Sequence, residues 1–363
     1  MTSTFRGRLG LQQRVLPDYR VPFFDMLAAS CEAGLCVFAG QPRDDEGIVT
    51  GVPRLAMLSP ASNLHMFQGP LYLCHQRGLI SWLEEWDPDA LIMEANPRYL
   101  ATAAGVRWMH ARNRRVIGWG LGAPPLSGLL GGIRRARRRR FLSQFDALIA
   151  YSRRGAREYA AAGFPPQRVF VATNAVLPRP ALRPDRQPLV GQATILFVGR
   201  LQARKRVDQL IRACAQMPEP KPRLIIVGDG PERPLLESLA QRTYPSAQFI
   251  GAKHGAELEP YFAQADLFVL PGTGGLAVQE AMAHGLPVIV AKGDGTQDDL
   301  VRDANGWQIQ PEDFSALLQT LQRALADIGK LRKMGEESLR IVSGEINLES
   351  MVAAFVEALN ASH

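Results

Sequence analysis

Lysine is missing from the first 180 residues of this 363-residue chain, which carry 23 arginines and 13 acidic residues. Residues 181–363 carry 19 basic and 22 acidic residues. The net charge is therefore +10 in the first half and −3 in the second, consistent with +7 for the whole chain. A field of one sign attracts anionic surfaces or substrates but does not specify a fold.

Cysteines and long apolar runs are also scarce. The four cysteines have neither a C-x-x-C spacing nor a nearby histidine pattern, so we predict reduced core residues rather than a zinc site or a disulfide framework. Charges interrupt every apolar run before the roughly 18 residues of a membrane span. The N-terminus lacks an apolar segment followed by a small-residue cleavage site, so we expect a cytoplasmic protein without a secretory signal.

Short apolar runs alternate with helical patterns along the whole chain, which predicts parallel sheets covered on both faces. A proline-rich stretch interrupts this alternation and has the composition of a linker. The final segment carries apolar residues at helical spacing. We therefore predict a first α/β domain over 1–177, a linker over 178–192, a second α/β domain over 193–343 and a closing helix within 344–363 that packs back on the first domain.

The most informative motif follows the apolar run 267–270. Gly272, Thr273, Gly274, Gly275 and Leu276 lead into a predicted helix that starts near Gly275, and backbone amides at such a helix start can hold a phosphate. Glu280 lies about 7–8 Å further along that helix, where its carboxylate suits ribose hydroxyls. The alternative is a tight strand–helix turn with a surface glutamate.

Two further motifs follow apolar runs in the second half. Gly199 and Arg200 precede Lys205 by six and five residues, so an arginine and a lysine could clamp a diphosphate. The alternative is a solvated basic loop. The second motif, Gly228-Asp229-Gly230-Pro231-Glu232, lets the backbone approach a flat ligand, although Gly-Asp-Gly is also an ordinary turn.

Together these stretches resemble the retaining glycosyltransferase family 4 of the GT-B fold, in which two doubly wound, Rossmann-like α/β domains face each other across a cleft. The likeness covers nearly the whole chain and is most specific over 194–310. It implies that Arg200 and Lys205 bind the diphosphate and act in catalysis, and that Glu280 binds the ribose. It also assigns to donor binding the residues Gly199, Gly228, Asp229, Gly230, Glu232, Gly272, Thr273, Gly274, Gly275 and Leu276.

The sequence departs from this family at three places. The family's Glu-x7-Glu motif has its first glutamate where this chain has Gly272, so a carboxylate contact to the donor sugar is missing or moved. No histidine lies in 118–124, where the first domain often has one. The stretch 13–22 replaces the Gly-rich loop on the acceptor side. We assign acceptor-side roles to Arg14, Tyr19, Glu94, Asn96, Trp119 and Gly120.

The resemblance implies a hexosyltransferase that moves a sugar from a nucleoside-diphosphate donor, with UDP favoured over GDP, to a hydroxyl of a lipid, saccharide or small-molecule acceptor. Cleavage of the donor develops negative charge on the leaving diphosphate, which Arg200 and Lys205 can stabilise, so no metal or other cofactor is expected. The Asp87-Pro88-Asp89 stretch favours a turn over a manganese site. The alternatives are a nucleotide-sugar binding protein without turnover and a GT-B nucleotide-sugar epimerase.

Six arginines cluster within a predicted helix over 129–145, namely Arg134, Arg135, Arg137, Arg138, Arg139 and Arg140. Such a cluster can bind anionic lipid head groups. A solvated helix face is the alternative. A nucleic-acid partner is not expected, because no nucleic-acid-binding module accompanies the cluster. If the lipid interpretation holds, the protein lies at the inner face of the membrane and its acceptor could be a lipid.

Overall fold

The computed structural model describes residues 4–126, 128, 131–181, 191–293 and 295–361. The chain divides into two compact units, the first formed by 1–176 with 348–363 and the second by 177–347. Most of the predicted linker, residues 182–190, lies outside the described residues. The predicted end of the second domain at 343 falls inside a helix, and the second unit instead continues to Asn347 because that helix packs within it.

The described strands of the first unit are β1 (Leu9–Val15), β2 (Leu35–Gly40), β3 (Met57–Pro60), β4 (Ser62–Met66), β5 (Leu73–Arg77), β6 (Ala90–Glu94), β7 (Arg115–Gly120), β8 (Ala147–Ala150) and β9 (Val169–Val171). Seven of them form a parallel sheet in the order β3-β2-β1-β6-β7-β8-β9. The other two, β4 and β5, pair with each other in antiparallel fashion.

Helices cover the sheet of the first unit. Those in the described residues are α1 (Val21–Ala29), α2 (Leu79–Trp86), α3 (Thr102–His110), α4 (Gly131–Leu142) and α5 (Arg153–Ala161), followed much later in the chain by the C-terminal helix (Leu348–Asn360). The C-terminal helix packs on α1, β8 and β9. Its Phe355 ring lies 4.9 Å from the rings of both Phe23 and Trp119, and all three side chains are fully buried. Aromatic burial therefore fixes this last segment to the first unit.

The described strands of the second unit are β10 (Thr194–Val198), β11 (Arg223–Val227), β12 (Gln248–Gly251), β13 (Leu267–Leu270), β14 (Val288–Ala291) and β15 (Gly306–Ile309). They form a parallel sheet in the order β12-β11-β10-β13-β14-β15. Its described helices are α6 (Val207–Ala215), α7 (Arg233–Thr243), α8 (Glu259–Gln264), α9 (Ala277–Ala283), α10 (Thr296–Leu300), α11 (Phe314–Leu325) and α12 (Ile328–Gly344), so the C-terminal helix is α13.

Both sheets follow from the apolar runs of the sequence. The central strands β10 and β13 are buried along their whole length, as expected for parallel strands that are covered on both faces. The predicted class of two doubly wound α/β domains is confirmed. In parallel sheets of this kind, ligands bind beyond the carboxyl ends of the strands, where the motifs lie. Among the described residues, no helix is long and apolar enough to cross a bilayer.

Candidate functional site

The carboxyl ends of β10 and β11 approach each other very closely. A Cβ on Gly228 would lie 2.0 Å from the carbonyl oxygen of Gly199, and a Cβ on Gly230 would lie 2.3 Å from that of Leu201. The Leu201 amide donates to the Asp229 carbonyl at 2.8 Å. Both Gly228 and Gly230 have positive φ, 140° and 155°. Glycine is required here because no side chain fits this approach of two backbones.

These strand ends border a cavity of about 600 Å³. Six of the predicted donor-binding residues line it, namely Gly199, Arg200, Gly228, Asp229, Gly230 and Glu280. Its wall is completed by Lys253, His254 and Gly255, which follow β12 and which the sequence analysis missed. Their signal was a polar turn between two glycines, Gly251 and Gly255, at the end of a parallel strand.

The charged residues that follow β10 and β11 differ in their surroundings. Asp229 accepts from the Gly230 amide at 2.7 Å and from Arg233 at 3.0 Å, and these two groups hold the pKa of Asp229 below its usual value. Arg200 is exposed on the cavity wall and has no hydrogen bond or ion pair within the part of the chain that the structure describes. Glu232 instead borders a second cavity of about 500 Å³. Arg200 is therefore available to a ligand.

Glu280 lies on α9 and reaches the wall of the larger cavity. Burial raises the pKa of Glu280, and the charge of His284 partly opposes this effect. The His284 ring stacks on Phe262 with centroids 4.7 Å apart, and its Nδ1 lies 2.8 Å from the Glu280 carbonyl oxygen. This places a partly buried carboxylate beside the glycine-lined strand ends, where it can accept hydrogen bonds from hydroxyl groups.

Gly272 stands where the resembled family has a glutamate, and the structure gives the reason for glycine. A Cβ at this position would lie 2.1 Å from the carbonyl oxygen of Arg204 and 2.5 Å from backbone atoms of Lys205. The Thr273 amide donates to the same Arg204 carbonyl at 3.0 Å. The two loops thus touch through their backbones, and no carboxylate can occupy this position.

Lys205 is buried against the same loop. Its side chain is only 7% exposed, and its Nζ donates to the Thr273 carbonyl at 2.8 Å. Burial, followed by the charge of Arg204, lowers the pKa of Lys205 to about 8. A weakly solvated ammonium near neutral pH gains much from an anionic partner. Lys205 is therefore buried against the Gly272–Gly274 loop, whereas Arg200 lines the cavity of about 600 Å³.

The loop that carries Gly274, Gly275 and Leu276 leads into α9. This helix begins at Ala277, two residues later than the predicted start near Gly275, because both glycines have positive φ, 74° and 144°. Within the described residues, the amides of Gly274, Gly275 and Leu276 donate no hydrogen bond to another group. These amides are available to an acceptor oxygen.

The first unit has a different arrangement, built from side chains. The Glu94 carboxylate at the end of β6 accepts from the Arg14 amide, and the Gln12 side chain accepts from the Glu94 amide at 3.2 Å. Burial raises the pKa of Glu94 to about 7. The Arg14 guanidinium pairs at 2.8 Å with Glu46, which the sequence analysis did not select. Glu94 itself has no ion pair in the described residues.

Tyr19 and Trp119 come together around an arginine that the sequence analysis also missed. The Arg20 guanidinium lies 5.4 Å from the ring centroids of Trp119 and Tyr151 and 5.5 Å from that of Tyr19. Arg20 is only 5% exposed, while Tyr19 is 41% exposed. Cation–π contact stabilises this buried charge. No sequence pattern predicted this cluster, because Trp119 and Tyr151 are far from Tyr19 and Arg20 in the chain.

The remaining acceptor-side candidates lie at the ends of β6 and β7. The Asn96 side chain accepts from the Arg98 amide at 3.1 Å. A Cβ on Gly120 would lie 2.6 Å from the Tyr159 hydroxyl, so Gly120 has a packing role. The arginine cluster lies on α4, where all of its members except the half-buried Arg138 are exposed.

Comparison with known families matches both halves of the chain. Residues 25–175 match the family described as Glycosyl transferase 4-like domain, and residues 179–340 match Glycosyl transferases group 1. The two matches are consecutive and together leave only the chain ends and three residues between them uncovered. Each match falls on one of the two units.

Curated relatives are similar over shorter stretches. A GDP-mannose-dependent alpha-mannosyltransferase of Mycobacterium tuberculosis is 40% identical over 146 residues, which is 39% of this chain and 35% of that protein. An enzyme of the same name from Corynebacterium glutamicum is 34% identical over 157 residues, 42% of this chain and 36% of that protein. The chain thus spans about a third of the length of these relatives.

Solved structures are similar over nearly the full length. The Anabaena protein HepE in complex with UDP has a TM-score of 0.71, with 18% identity over 97% of this chain and 99% of that one. The lipopolysaccharide outer core galactosyltransferase WaaB has a TM-score of 0.68, with 14% identity over 97% and 98%. At such low identities, the likeness shows only that the chain shares the fold of these structures. The chain has the GT-B fold of these solved structures, and each of its halves matches a family of glycosyltransferase domains.

Proposed function

We propose that this protein is a retaining, metal-independent glycosyltransferase of family 4 that moves a hexosyl group from a nucleoside-diphosphate sugar to a hydroxyl acceptor. The observation that carries the proposal is the cavity at the ends of β10 and β11, which is lined by Arg200, Glu280 and four glycines. Glycines allow close backbone approach to a nucleotide, and Glu280 can accept ribose hydroxyls. Arg200 supplies a guanidinium that has no partner among the described residues.

The chemistry requires charge stabilisation on the leaving group. Breaking the bond between sugar and phosphate leaves negative charge on the diphosphate, and preorganised cations and amides lower the barrier most where that charge develops. Arg200 can hold the diphosphate bidentately, and Lys205 supplies a second charge. The amides of Gly274, Gly275 and Leu276 add uncharged donors. In this proposal the chain itself performs the neutralisation that a divalent cation provides elsewhere.

The donor base is the least constrained part of the proposal. The resemblance of the sequence favoured UDP, and HepE was solved with UDP. However, two relatives at 40% and 34% identity are named for GDP-mannose. We therefore propose to test GDP-mannose first and UDP-sugars second. The acceptor in this proposal is a hydroxyl group of a lipid, a saccharide or a small molecule.

The first experiment is a calorimetric and thermal-shift screen of the purified protein against UDP, GDP, ADP and their common sugar conjugates. A ligand that binds only the folded protein raises its apparent stability by mass action. We expect one nucleotide and its sugar conjugate to bind, and Arg200→Ala to abolish sugar transfer while leaving the unfolding midpoint unchanged. Arg212→Ala, an exposed arginine of α6, is the matched control.

Two results would reject parts of this proposal. No binding of any nucleotide at millimolar concentration would remove the donor assignment. Binding without nucleotide release, in the presence of candidate acceptors, would favour the alternative of a sugar-nucleotide binding protein, for which the lack of a carboxylate at Gly272 is the motivation. Interconversion of the donor sugar without transfer would favour an epimerase.

We also propose that α4 attaches the protein to anionic membrane surfaces. Five of its arginines are exposed, and exposed Ile133 lies on the same helix. Each arginine near an anionic bilayer contributes about 1 kcal/mol. Replacing Arg137 to Arg140 with glutamine should therefore weaken binding to phosphatidylserine vesicles by about 3 kcal/mol, because three of these four arginines are exposed. The same four positions changed to lysine keep the charge and should bind normally, and undiminished binding of the glutamine variant would reject this role.

A further inference from the structure

Arg204 lies between Arg200 and Lys205 in the sequence, but the diphosphate motif assigns no role to it. A Cβ placed on Gly274 would lie 3.3 Å from Arg204 Nη1 and 3.4 Å from Lys205 Nζ. Both cations therefore reach the same point above a residue that has no side chain. They also approach one oxygen, since Lys205 Nζ lies 2.8 Å and Arg204 Nη1 lies 3.5 Å from the Thr273 carbonyl.

Among the residues that the structure describes, no carboxylate balances the charge at this point. The Arg204 side chain is exposed, and its Nε donates to the Gln202 amide oxygen at 3.0 Å. Within the described residues, neither Arg204 nor Lys205 has a carboxylate partner within ion-pair distance. The neighbouring Arg206 takes up the nearby carboxylates of Asp208, at 3.2 Å, and Glu312, at 2.9 Å.

Backbone geometry holds the two cations in place. The Thr273 amide donates to the Arg204 carbonyl at 3.0 Å, and Gly272 leaves no room for a side chain between the loops. A carboxylate at 272, which would neutralise these charges from within the protein, is therefore sterically excluded. Two like charges at one unfilled point repel each other, and an anionic ligand relieves that repulsion.

We propose that Arg204 is a donor-binding residue and that it forms, with Lys205, a subsite above Gly274 for an anionic group of the sugar nucleotide. This inference rests on the proposed function. An anionic group at this point has two sources in such a donor, the diphosphate itself or an acidic substituent on the sugar. A guanidinium and an ammonium both form charge-assisted hydrogen bonds with phosphate or carboxylate oxygens.

The test compares affinities of wild-type protein, Arg204→Gln and the control Arg212→Gln by calorimetry. The probes are UDP, GDP, UDP-glucose, UDP-glucuronate and GDP-mannose. We expect Arg204→Gln to weaken binding about tenfold or more, the usual loss for a charge-assisted hydrogen bond. Arg212→Gln should bind as wild type, and Arg204→Lys should recover part of the affinity. An unchanged unfolding midpoint for Arg204→Gln shows that the loops stay in place.

The outcomes separate the two sources of the anion. Weaker binding of UDP or GDP themselves assigns the subsite to the diphosphate. Weaker binding of UDP-glucuronate, with UDP-glucose unaffected, assigns it to an acid group on the sugar. Equal affinities of Arg204→Gln and wild type for all five probes would overturn the inference while leaving the proposed function standing. Failure of wild-type protein to bind any probe would overturn both.

Discussion

The two units of this chain build their candidate sites in different ways. In the second unit the site is formed by backbone, since Gly228, Gly230 and Gly272 stand where a Cβ would collide with a neighbouring loop. In the first unit the polar groups are side chains, such as Glu94 and the ring-enclosed Arg20. Backbone sites leave a trace in the sequence as glycines at strand ends. Side-chain clusters assembled from distant segments leave almost none.

Substitution of Gly272 should have the largest effect, because it removes the backbone contact on which the candidate site of the second unit depends. In Gly272→Ala the added Cβ would overlap the Arg204 carbonyl, so the loops must separate at a cost of about 3 kcal/mol. We expect the unfolding midpoint of the second unit to fall by about 10 °C and nucleotide binding to be lost. Differential scanning calorimetry measures the first effect and titration with nucleotide the second.

The matched control is Gly132→Ala on α4, where a Cβ would meet nothing within 4 Å. An alanine in a helix restricts the unfolded chain, so this variant should be stabilised by about 0.5–1 kcal/mol. A Gly272→Ala protein as stable as wild type, with normal nucleotide affinity, would show that the second unit does not depend on this backbone contact.

The sequence predicted the second unit better than the first for the same physical reason. Glycines after β10 and β11 were predicted as candidate donor-binding residues, and they line one cavity. Apolar residues at helical spacing predicted a helix where α13 lies. From the sequence, Gly272 could be recognised only as the position where the resembled family has a glutamate. Its tight contact with Arg204 could not be predicted, because the two residues are distant in sequence. Arg20 could not be found, since its ring contacts join three segments. The start of α9 was misplaced because positive φ angles depend on tertiary packing.

The next largest effect concerns the stability of the first unit. Because the pKa of Glu94 is raised from its usual 4.5 to about 7, the folded state holds a proton that the unfolded state releases, and stability falls as pH rises between these values. Glu94→Gln removes this charge and can still accept from the Arg14 amide. We expect it to stabilise the protein by about 2 kcal/mol at pH 8, after allowance for solvent screening, and to have little effect at pH 4.5.

Glu46 provides a control of opposite sign. Burial alone would raise the pKa of Glu46, but hydrogen bonds from Arg14 and Arg43 hold it below its usual value. Its stabilising contribution is therefore present at neutral pH and lost as pH falls through the folded-state pKa. Glu46→Gln should destabilise the protein at pH 7 and lose that effect in acid. Parallel pH profiles for the two variants in urea unfolding would contradict the assignment of Glu94 as the unpaired carboxylate.

The smallest expected effect is the uptake of protons when the second unit binds a nucleoside diphosphate. The depressed pKa of Lys205, about 8, means that its ammonium is half deprotonated at that pH in the free protein. An anionic ligand beside Nζ favours the charged form, so binding of a nucleoside diphosphate at pH 8 should take up about half a proton. Calorimetry in two buffers of different ionisation enthalpy measures this number, and Lys205→Met should reduce it to zero. A proton uptake that persists in Lys205→Met would assign the proton to another group and contradict the lowered pKa of Lys205.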